Sequence, residues 1–198
     1  MGDFKRCLTL ARGWHEQAVF RHLAREPQDF RGALRFVPRR ERLMQLFAYQ
    51  SLLWNRALDK LVRARHGAAA LEIPTELAPL AAWRALDPKE MEMWESTALP
   101  LPCHSTKPND PVVRGALEAA CAVDGVSLDR LRIRGIRGFE FREDKRACVL
   151  IPDEAEIDEA QPDDRHAGRV KLRVQLSLPK GAYATLVLKR AAAENPGR

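Results

Sequence analysis

Apolar and polar residues alternate near the C-terminal end of the chain, over residues 170–178. Every second position is apolar: Val170, Leu172, Val174, Leu176 and Leu178. A period of two is typical of a strand with one buried face. The pattern therefore predicts a half-buried strand in this segment.

A turn and a helix are predicted to follow this strand. The tripeptide Pro179-Lys180-Gly181 ends the alternation, and the apolar spacing becomes helical from about Ala182. Free N–H groups at a helix N-terminus attract anions, and Lys180 adds a positive charge there. Two interpretations of the neighbouring Tyr183 stay open: its ring packs in the core, or it lies beside an anion such as an RNA phosphate.

The longest helical pattern covers residues 39–66 and ends before Gly67. Its apolar residues fill two adjacent stripes, which indicates a central helix buried on more than one side. Four polar or half-polar residues lie inside this pattern: Tyr49, Gln50, Asn55 and Arg56. Each is either a hydrogen-bonded core group or a group that faces a cleft.

Shorter patterns predict the other elements. Helices are expected over residues 3–25 with a break at Gly13, over 77–86, from Pro88 to Trp94, and over 111–123 with Val112 on the buried face. The expected strands are 71–73 and, as a buried strand, 147–151. Two loops complete the prediction: the proline-rich residues 98–111, extended and exposed, and the acidic residues 153–164 at the surface.

Length and composition indicate a globular protein with one domain or two small ones. The chain has 198 residues, 45% of them hydrophobic, and no run near the roughly 20 apolar residues of a membrane span. The N-terminus lacks the pattern of a signal peptide, so a cytoplasmic location is expected. A net charge of +6 suits a polyanionic partner.

The cysteines and histidines predict neither a metal site nor a cofactor. Cys7, Cys103, Cys121 and Cys148 are scattered, so they are expected to be free thiols. Cys103 is followed by His104, but no second pair of ligands lies nearby, and the other histidines show no ligand spacing.

Arginines concentrate in two segments. The first precedes and begins the long helix with Arg31, Arg35, Arg39, Arg40 and Arg42; the second, in residues 127–142, contains Arg130, Arg132, Arg134, Arg137 and Arg142. Such runs are either solvated surface or contacts to a phosphate backbone, since arginine binds phosphate through two N–H groups. The candidates for RNA contact are Arg35, Arg39, Arg40, Arg132, Arg134 and Arg137.

Four segments resemble one known family in sequence and order. They are RGALRFVPRR (31–40), LFAYQSLLWNRAL (46–58), ALPLP (98–102) and LPKGAYATLVL (178–188). The chain is similar through these segments to the tRNA pseudouridine synthase D (TruD) family. The resemblance implies a two-domain enzyme, with an α/β catalytic domain and an insertion domain, that converts a tRNA uridine, by resemblance the one at position 13, to pseudouridine without metal or organic cofactor.

The resemblance also implies roles for individual residues. Tyr183 matches the aromatic residue that packs on the target uridine, with Lys180 and Gly181 lining the same pocket. Asn55 and Arg56 are weaker candidates for supporting or phosphate-binding roles.

The catalytic motif of the family is missing from the chain. The family has its nucleophilic aspartate in a Gly-x-Lys-Asp-Lys motif, with a later Asn-Tyr-Phe-Gly segment, and neither occurs here. Asp3 and Asp29 lack such a context, so no catalytic residue is assigned and the chain alone is expected to be inactive.

The chain is therefore expected to be an α+β, C-terminal part of a synthase. Residues 1–38 would end the first half of the catalytic domain, residues 39–146 would form the insertion domain, and residues 147–198 would return to the catalytic sheet. Two alternatives stay open: a non-catalytic RNA-binding module, and the C-terminal half of a split synthase whose N-terminal half is a separate chain. With strand partners missing, residues 170–178 are expected to promote association.

Overall fold

The computed structural model describes residues 2–136, 138–179 and 182–193. It combines α-helices with small two-stranded sheets, in agreement with the predicted α+β class. The chain forms two compact units. Unit 1 comprises Met1–Leu61 and Leu99–Arg146, and unit 2 comprises Val62–Ala98 and Ala147–Arg198. The domain boundaries expected from the family resemblance stay a prediction.

The helices of the described residues are α1 (Phe4–Leu10), α2 (Trp14–Arg25), α3 (Phe30–Ala33), α4 (Arg39–His66), α5 (Pro88–Ser96), α6 (Pro111–Ala122) and α7 (Ala184–Ala193). The strands are β1 (Leu71–Ile73), β2 (Leu80–Ala82), β3 (Ala98–Pro100), β4 (Lys145–Ala147), β5 (Asp153–Ile157), β6 (Gln161–Pro162), β7 (Val170–Lys171) and β8 (Val174–Ser177). They pair as β1–β2, β3–β4, β5–β8 and β6–β7.

Aspartate caps begin two of the predicted helices. The Asp87 carboxylate accepts a 2.8 Å hydrogen bond from the Glu90 amide at the start of α5, and Asp110 accepts one of the same length from Val112 at the start of α6. A proline follows each cap, where its missing N–H costs nothing. Both starts confirm the sequence prediction.

Helix α4 is the main packing element of unit 1, as its wide apolar surface predicts. Leu53 and Ala57 are fully buried, and Gln50 is 1% exposed. The Gln50 side-chain amide donates to the carbonyls of Pro102 (3.1 Å) and Arg142 (2.7 Å). Gln50 is therefore a satisfied core polar group. The helix ends at His66, as predicted, because Gly67 takes a positive φ of 51°.

The proline-rich segment was predicted to be exposed, and this is wrong for its first half. Leu99, Pro102 and Cys103 are buried. The Trp54 indole donates a 3.0 Å hydrogen bond to the Leu99 carbonyl, in addition to the Gln50 bond to Pro102. These side chains satisfy the backbone of the extended segment, so it lies in the interior without a full sheet around it.

Helix α6 buries Ala116, Leu117, Ala120 and Cys121. Val112 is 63% exposed, so its predicted burial is wrong. It lies in the first turn, before the part of the helix that the core covers.

In unit 2, the predicted helix over residues 77–86 is wrong, and strand β2 replaces it. Leu80 pairs with Ile73 and Ala82 with Leu71 in the antiparallel β1–β2 sheet. Prolines at 74 and 79 disfavour a helix here, and the Thr75 hydroxyl closes the turn between the strands by bonding to Ala78.

Helix α7 contacts the same part of unit 2. The Arg190 guanidinium donates to the carbonyls of Trp83 (2.8 Å) and Arg84 (2.7 Å), and Lys189 donates to that of Pro74 (3.1 Å). The rings of Trp83 and Trp94 lie 4.9 Å apart and form an aromatic pair beside these contacts.

Three predictions for residues 147–178 are wrong. The expected buried strand 147–151 is replaced by β4, and Ile151 is 55% exposed. The acidic residues 153–164 lie at the surface as expected, but they form β5 and β6 rather than a loop. The half-buried strand splits into β7 and β8, with Val170 65% exposed, because a two-stranded sheet buries little without a second layer.

None of the four cysteines, all of which the structure describes, forms a disulfide, as predicted. Cys7 is half-exposed, whereas Cys103, Cys121 and Cys148 are buried. Burial raises the pKa of the Cys121 thiol. Within the described ranges, no helix is long and apolar enough to cross a membrane.

Candidate functional site

Tyr183 directly precedes α7, in agreement with the predicted position of the helix start. Its carbonyl accepts hydrogen bonds from the amides of Leu186 (2.9 Å) and Val187 (3.2 Å), which begin the helical ladder. The side chain is 49% exposed. The interpretation in which Tyr183 packs in the core is therefore wrong for this structure.

The predicted turn lies just before Tyr183. Lys180 and Gly181 lie outside the described residues. The Ala182 amide donates a 3.1 Å hydrogen bond to the Pro179 carbonyl, an interaction that is typical of a tight turn.

The predicted site residues of α4 lie in unit 1. The Arg56 guanidinium lies 2.7 Å from one oxygen of Asp124, and the Tyr49 hydroxyl donates to the same oxygen at 3.1 Å. The hydrogen bond from Arg56 holds the pKa of the Asp124 carboxyl below its usual value. Burial, followed by Asp124, raises the pKa of Tyr49. Arg56 is thus held by an ion pair, and Asn55 beside it is half-buried.

The two aspartates of the N-terminal region both cap helices. Asp3 accepts a 3.0 Å hydrogen bond from the Arg6 amide at the start of α1. Asp29 accepts one of 2.8 Å from the Gly32 amide at the start of α3, and its other oxygen lies 2.9 Å from His22 Nε2. The Gly32 amide and then His22 lower the pKa of Asp29. Both side chains have a structural role that explains their presence.

The two arginine segments pack on one apolar cluster in unit 1. Leu46, Ile136 and Phe139 form its buried centre, with Leu34 and Leu43 at its edge. The predicted RNA-contacting residues Arg35, Arg39, Arg40, Arg132 and Arg134 are exposed around it. Arg137 lies outside the described residues. Sequence reasoning treated the segments as separate patches and gave no role to Gly135 and Gly138, although two glycines within an arginine run are a signal of close backbone approach.

An open cavity of about 600 Å³ lies elsewhere in unit 1. Its charged lining residues are His104, Lys107, Arg114, Glu118 and Asp129. None of the site residues predicted from the sequence lines it. In the part of the chain that the structure describes, no group of three or more His, Cys, Asp or Glu residues is placed to hold a metal ion.

Comparison with known proteins identifies relatives of the chain. The family model of tRNA pseudouridine synthase D (TruD) matches residues 1–78. Curated proteins that carry the same name match most of the chain at low identity. The chain is thus similar in sequence to proteins of the TruD family. This confirms the resemblance seen in the sequence segments.

Three of the TruD relatives illustrate the extent of the similarity. The probable tRNA pseudouridine synthase D 2 of Methanocaldococcus jannaschii is 24% identical over 84% of the chain and 39% of its own length. The tRNA pseudouridine synthase D of Leptospira interrogans is 24% identical over 96% of the chain and 47% of its own length. The probable enzyme of Methanopyrus kandleri is 29% identical over 95% of the chain and 42% of its own length. The chain thus spans less than half the length of these relatives.

The TruD matches include the segments that carry the resemblance. Residues 31–40 and 46–58 lie within the family-model match. Residues 178–188 lie beyond it, but the alignment with the Leptospira protein covers 96% of the chain and so includes them. Tyr183 therefore lies in a part of the chain that aligns with a TruD protein.

Proposed function

We propose that the chain is the C-terminal part of a tRNA pseudouridine synthase of the TruD type. The observation that carries the proposal is its alignment, over most of its length, with proteins named tRNA pseudouridine synthase D. The substrate is a uridine of tRNA, by family resemblance the one at position 13. In the reaction the bond from the ribose to the uracil nitrogen breaks, the base rotates, and a bond to a uracil carbon forms.

Tyr183 is the residue that binds the target base in this proposal. Its side chain is about half exposed just before α7, so a base that has left the RNA stack can reach it. Stacking of a base on an aromatic ring contributes about 1–3 kcal/mol. By the family resemblance, Lys180 and Gly181, which lie outside the described residues, would line the same pocket.

The nucleophile comes from outside this chain. The family uses an aspartate in a motif that the sequence lacks, and the two N-terminal aspartates, Asp3 and Asp29, cap helices. The region that corresponds to the N-terminal half of a synthase would supply the carboxylate. The chain alone would then bind tRNA but leave its uridines unchanged, in the cytoplasm where tRNA is modified.

Arginines hold the tRNA backbone in this proposal. Arg35, Arg39, Arg40, Arg132, Arg134 and Arg137 provide the positive charge. Arg56 forms an ion pair with Asp124. Arg56 and Asn55 are weaker candidates for supporting or phosphate-binding roles. Because binding of this kind releases counterions, the affinity for tRNA should fall steeply as salt increases.

The test measures pseudouridine in an unmodified tRNA transcript. The chain is incubated with the transcript alone and together with the N-terminal half of a related synthase. We expect product only in the mixture, no product with Tyr183→Ala, and partial activity with Tyr183→Phe, which keeps the ring. Product from the chain alone would contradict the account of the nucleophile.

A non-catalytic RNA-binding module is the second candidate, and the capping roles of Asp3 and Asp29 favour it. It predicts salt-sensitive tRNA binding without product in either incubation. It also predicts that Tyr183→Ala leaves binding intact, whereas a double change of Arg39 and Arg40 to Gln weakens it.

A further inference from the structure

The two arginine segments are in direct contact within unit 1. Gly135, in the second segment, lies against the guanidinium group of Arg31 from the first, which occupies the position that a Cβ atom would take. At Gly138 a Cβ atom would stand 3.2 Å from the Nε atom of Arg39. The arginines of one segment therefore reach across to the backbone of the other.

The backbone at both contact points requires glycine. Gly135 has a φ of 79° and Gly138 a φ of 69°, in the left-handed region that side chains disfavour. The bare backbone lets the guanidinium groups approach closely. A methyl group at Gly135 would force the Arg31 guanidinium to move.

Two guanidinium–aromatic contacts join the segments in opposite directions. The Arg42 guanidinium, from α4, lies 5.9 Å from the centre of the Phe139 ring. In return, the Arg142 guanidinium lies 4.4 Å from the centre of the Phe47 ring on α4. A ring covers one face of a guanidinium group and leaves the N–H groups at its edge free to bind oxygen.

Carboxylates in this region do not neutralise these arginines. Two acidic groups beside the first segment face histidines: a Glu41 oxygen lies 3.7 Å from His15, and an Asp29 oxygen 2.9 Å from His22. Among the described residues, no salt bridge involves Arg31, Arg39, Arg42 or Arg142. Their positive charges are therefore close together without an acidic partner, and Arg31, Arg39 and Arg142 are exposed, so a bound anion can reach them.

We propose that Arg31, Arg39, Arg42 and Arg142 form one continuous RNA-binding surface, the arginine seam, which contacts neighbouring phosphates of one RNA strand. Several guanidinium groups from two segments match a chain of phosphates better than a single anion, because each can hold one phosphate through paired N–H groups. Gly135 and Gly138 are positioning residues that let the seam assemble. The proposal rests on the proposed function for the identity of the RNA, a tRNA.

The test separates the geometry of the seam from its charge. Gly135→Ala in the full chain leaves every charge in place but displaces Arg31. The matched control is Gly125→Ala, at a φ of 67° with no atom within 4 Å of the added methyl, so it introduces the same backbone strain without an arginine contact. Binding is measured with an unmodified tRNA transcript and with single-stranded polyuridine, over a range of salt concentrations.

We expect Gly135→Ala to weaken binding to both RNAs about threefold to tenfold relative to Gly125→Ala. We also expect its plot of log affinity against log salt to become shallower by about one unit. Equal binding by the two variants overturns the seam. If Gly135→Ala does not fold, Arg31→Gln with Arg142→Gln replaces it, against Arg165→Gln with Arg169→Gln, two arginines of unit 2, as the charge-matched control.

The outcomes distinguish the seam from the proposed function. Polyuridine binding that depends on Gly135, with no binding of tRNA, would support the seam and contradict the tRNA function. Binding of tRNA that is indifferent to Gly135 and to the arginine pair would contradict the seam alone. If the chain binds neither RNA, the seam is wrong.

Discussion

The two longest segments that resemble TruD, residues 46–58 and residues 178–188, differ in the burial of their side chains. Residues 46–58 on α4 lie largely in the interior, with Leu53 fully buried and Trp54 hydrogen-bonded through its indole. In residues 178–188 no described side chain is buried, and Tyr183 and Leu188 are about half exposed. Similarity in the first segment is explained by packing. In the second, the described side chains are less buried, which is consistent with the role proposed for Tyr183 in binding the base.

Gln50→Leu should have the largest effect on stability, because Gln50 is a buried hydrogen-bonding residue of the first segment. The substitution leaves the carbonyls of Pro102 and Arg142 without the donor that now bonds them. Unpaired buried acceptors cost about 1–3 kcal/mol each, so the free energy of unfolding should fall by about 2–3 kcal/mol. Urea unfolding measures it. The exposed Gln45→Leu on the same helix is the control, and an equal loss there would contradict the role of Gln50.

Asp124→Asn removes the ion-pair partner of Arg56, near the end of the first segment. We expect it to have a smaller, pH-dependent effect on the free energy of unfolding. The pKa of Asp124 is lowered in the folded state by Arg56, so its contribution to stability is present above the unfolded pKa of about 3.9 and lost as the pH falls through the folded value. We expect the variant to lose about 1 kcal/mol at pH 7. The difference from the unchanged chain should disappear in strong acid.

Unfolding curves at a series of pH values provide this measurement. Glu95→Gln, which removes an exposed carboxylate on α5, controls for the change in net charge. A gap between Asp124→Asn and the unchanged chain that widens toward low pH would reverse the predicted sign.

Tyr183→Ala should have the smallest effect on stability, because the second segment buries little. With its side chain about half exposed, we expect a loss of less than about 0.5 kcal/mol, the usual range for surface changes. Thermal unfolding checks this value. A loss of several kcal/mol would mean that the ring supports the fold, and it would remove the contrast between the two segments.

Elements whose structure depends on local signals could be predicted from the sequence. The bounds of α4 follow from a long helical pattern that ends at Gly67, and the starts of α5 and α6 follow from Asp-Pro pairs. The exposure of Tyr183 could not be decided in this way, since the same spacing fits a buried or an open ring. The family resemblance, rather than the pattern, singled it out.

The sequence predictions failed where burial depends on residues distant in the chain or on a second layer that would cover a sheet. Leu99 and Cys103 are buried because side chains some 45 or more positions earlier, on α4, satisfy the backbone around them. No local pattern reports such a bond. Likewise, alternation in β7 and β8 predicts a buried face only if something covers it, and Val170 and Leu172 are exposed. The convergence of the arginine segments is also a long-range feature, marked in the sequence only by Gly135 and Gly138.

The different burial of the four thiols has a practical consequence. Cys7 on α1 is half-exposed, whereas Cys103, Cys121 and Cys148 are buried. An alkylating dye should therefore label Cys7 first in the native chain, since reaction needs an accessible thiolate. The labelling rates of the three buried thiols then measure local unfolding: those of Cys103 and Cys121 report the opening of unit 1, and that of Cys148 reports the opening of unit 2. One labelling experiment resolved by mass spectrometry would thus time the opening of each unit separately.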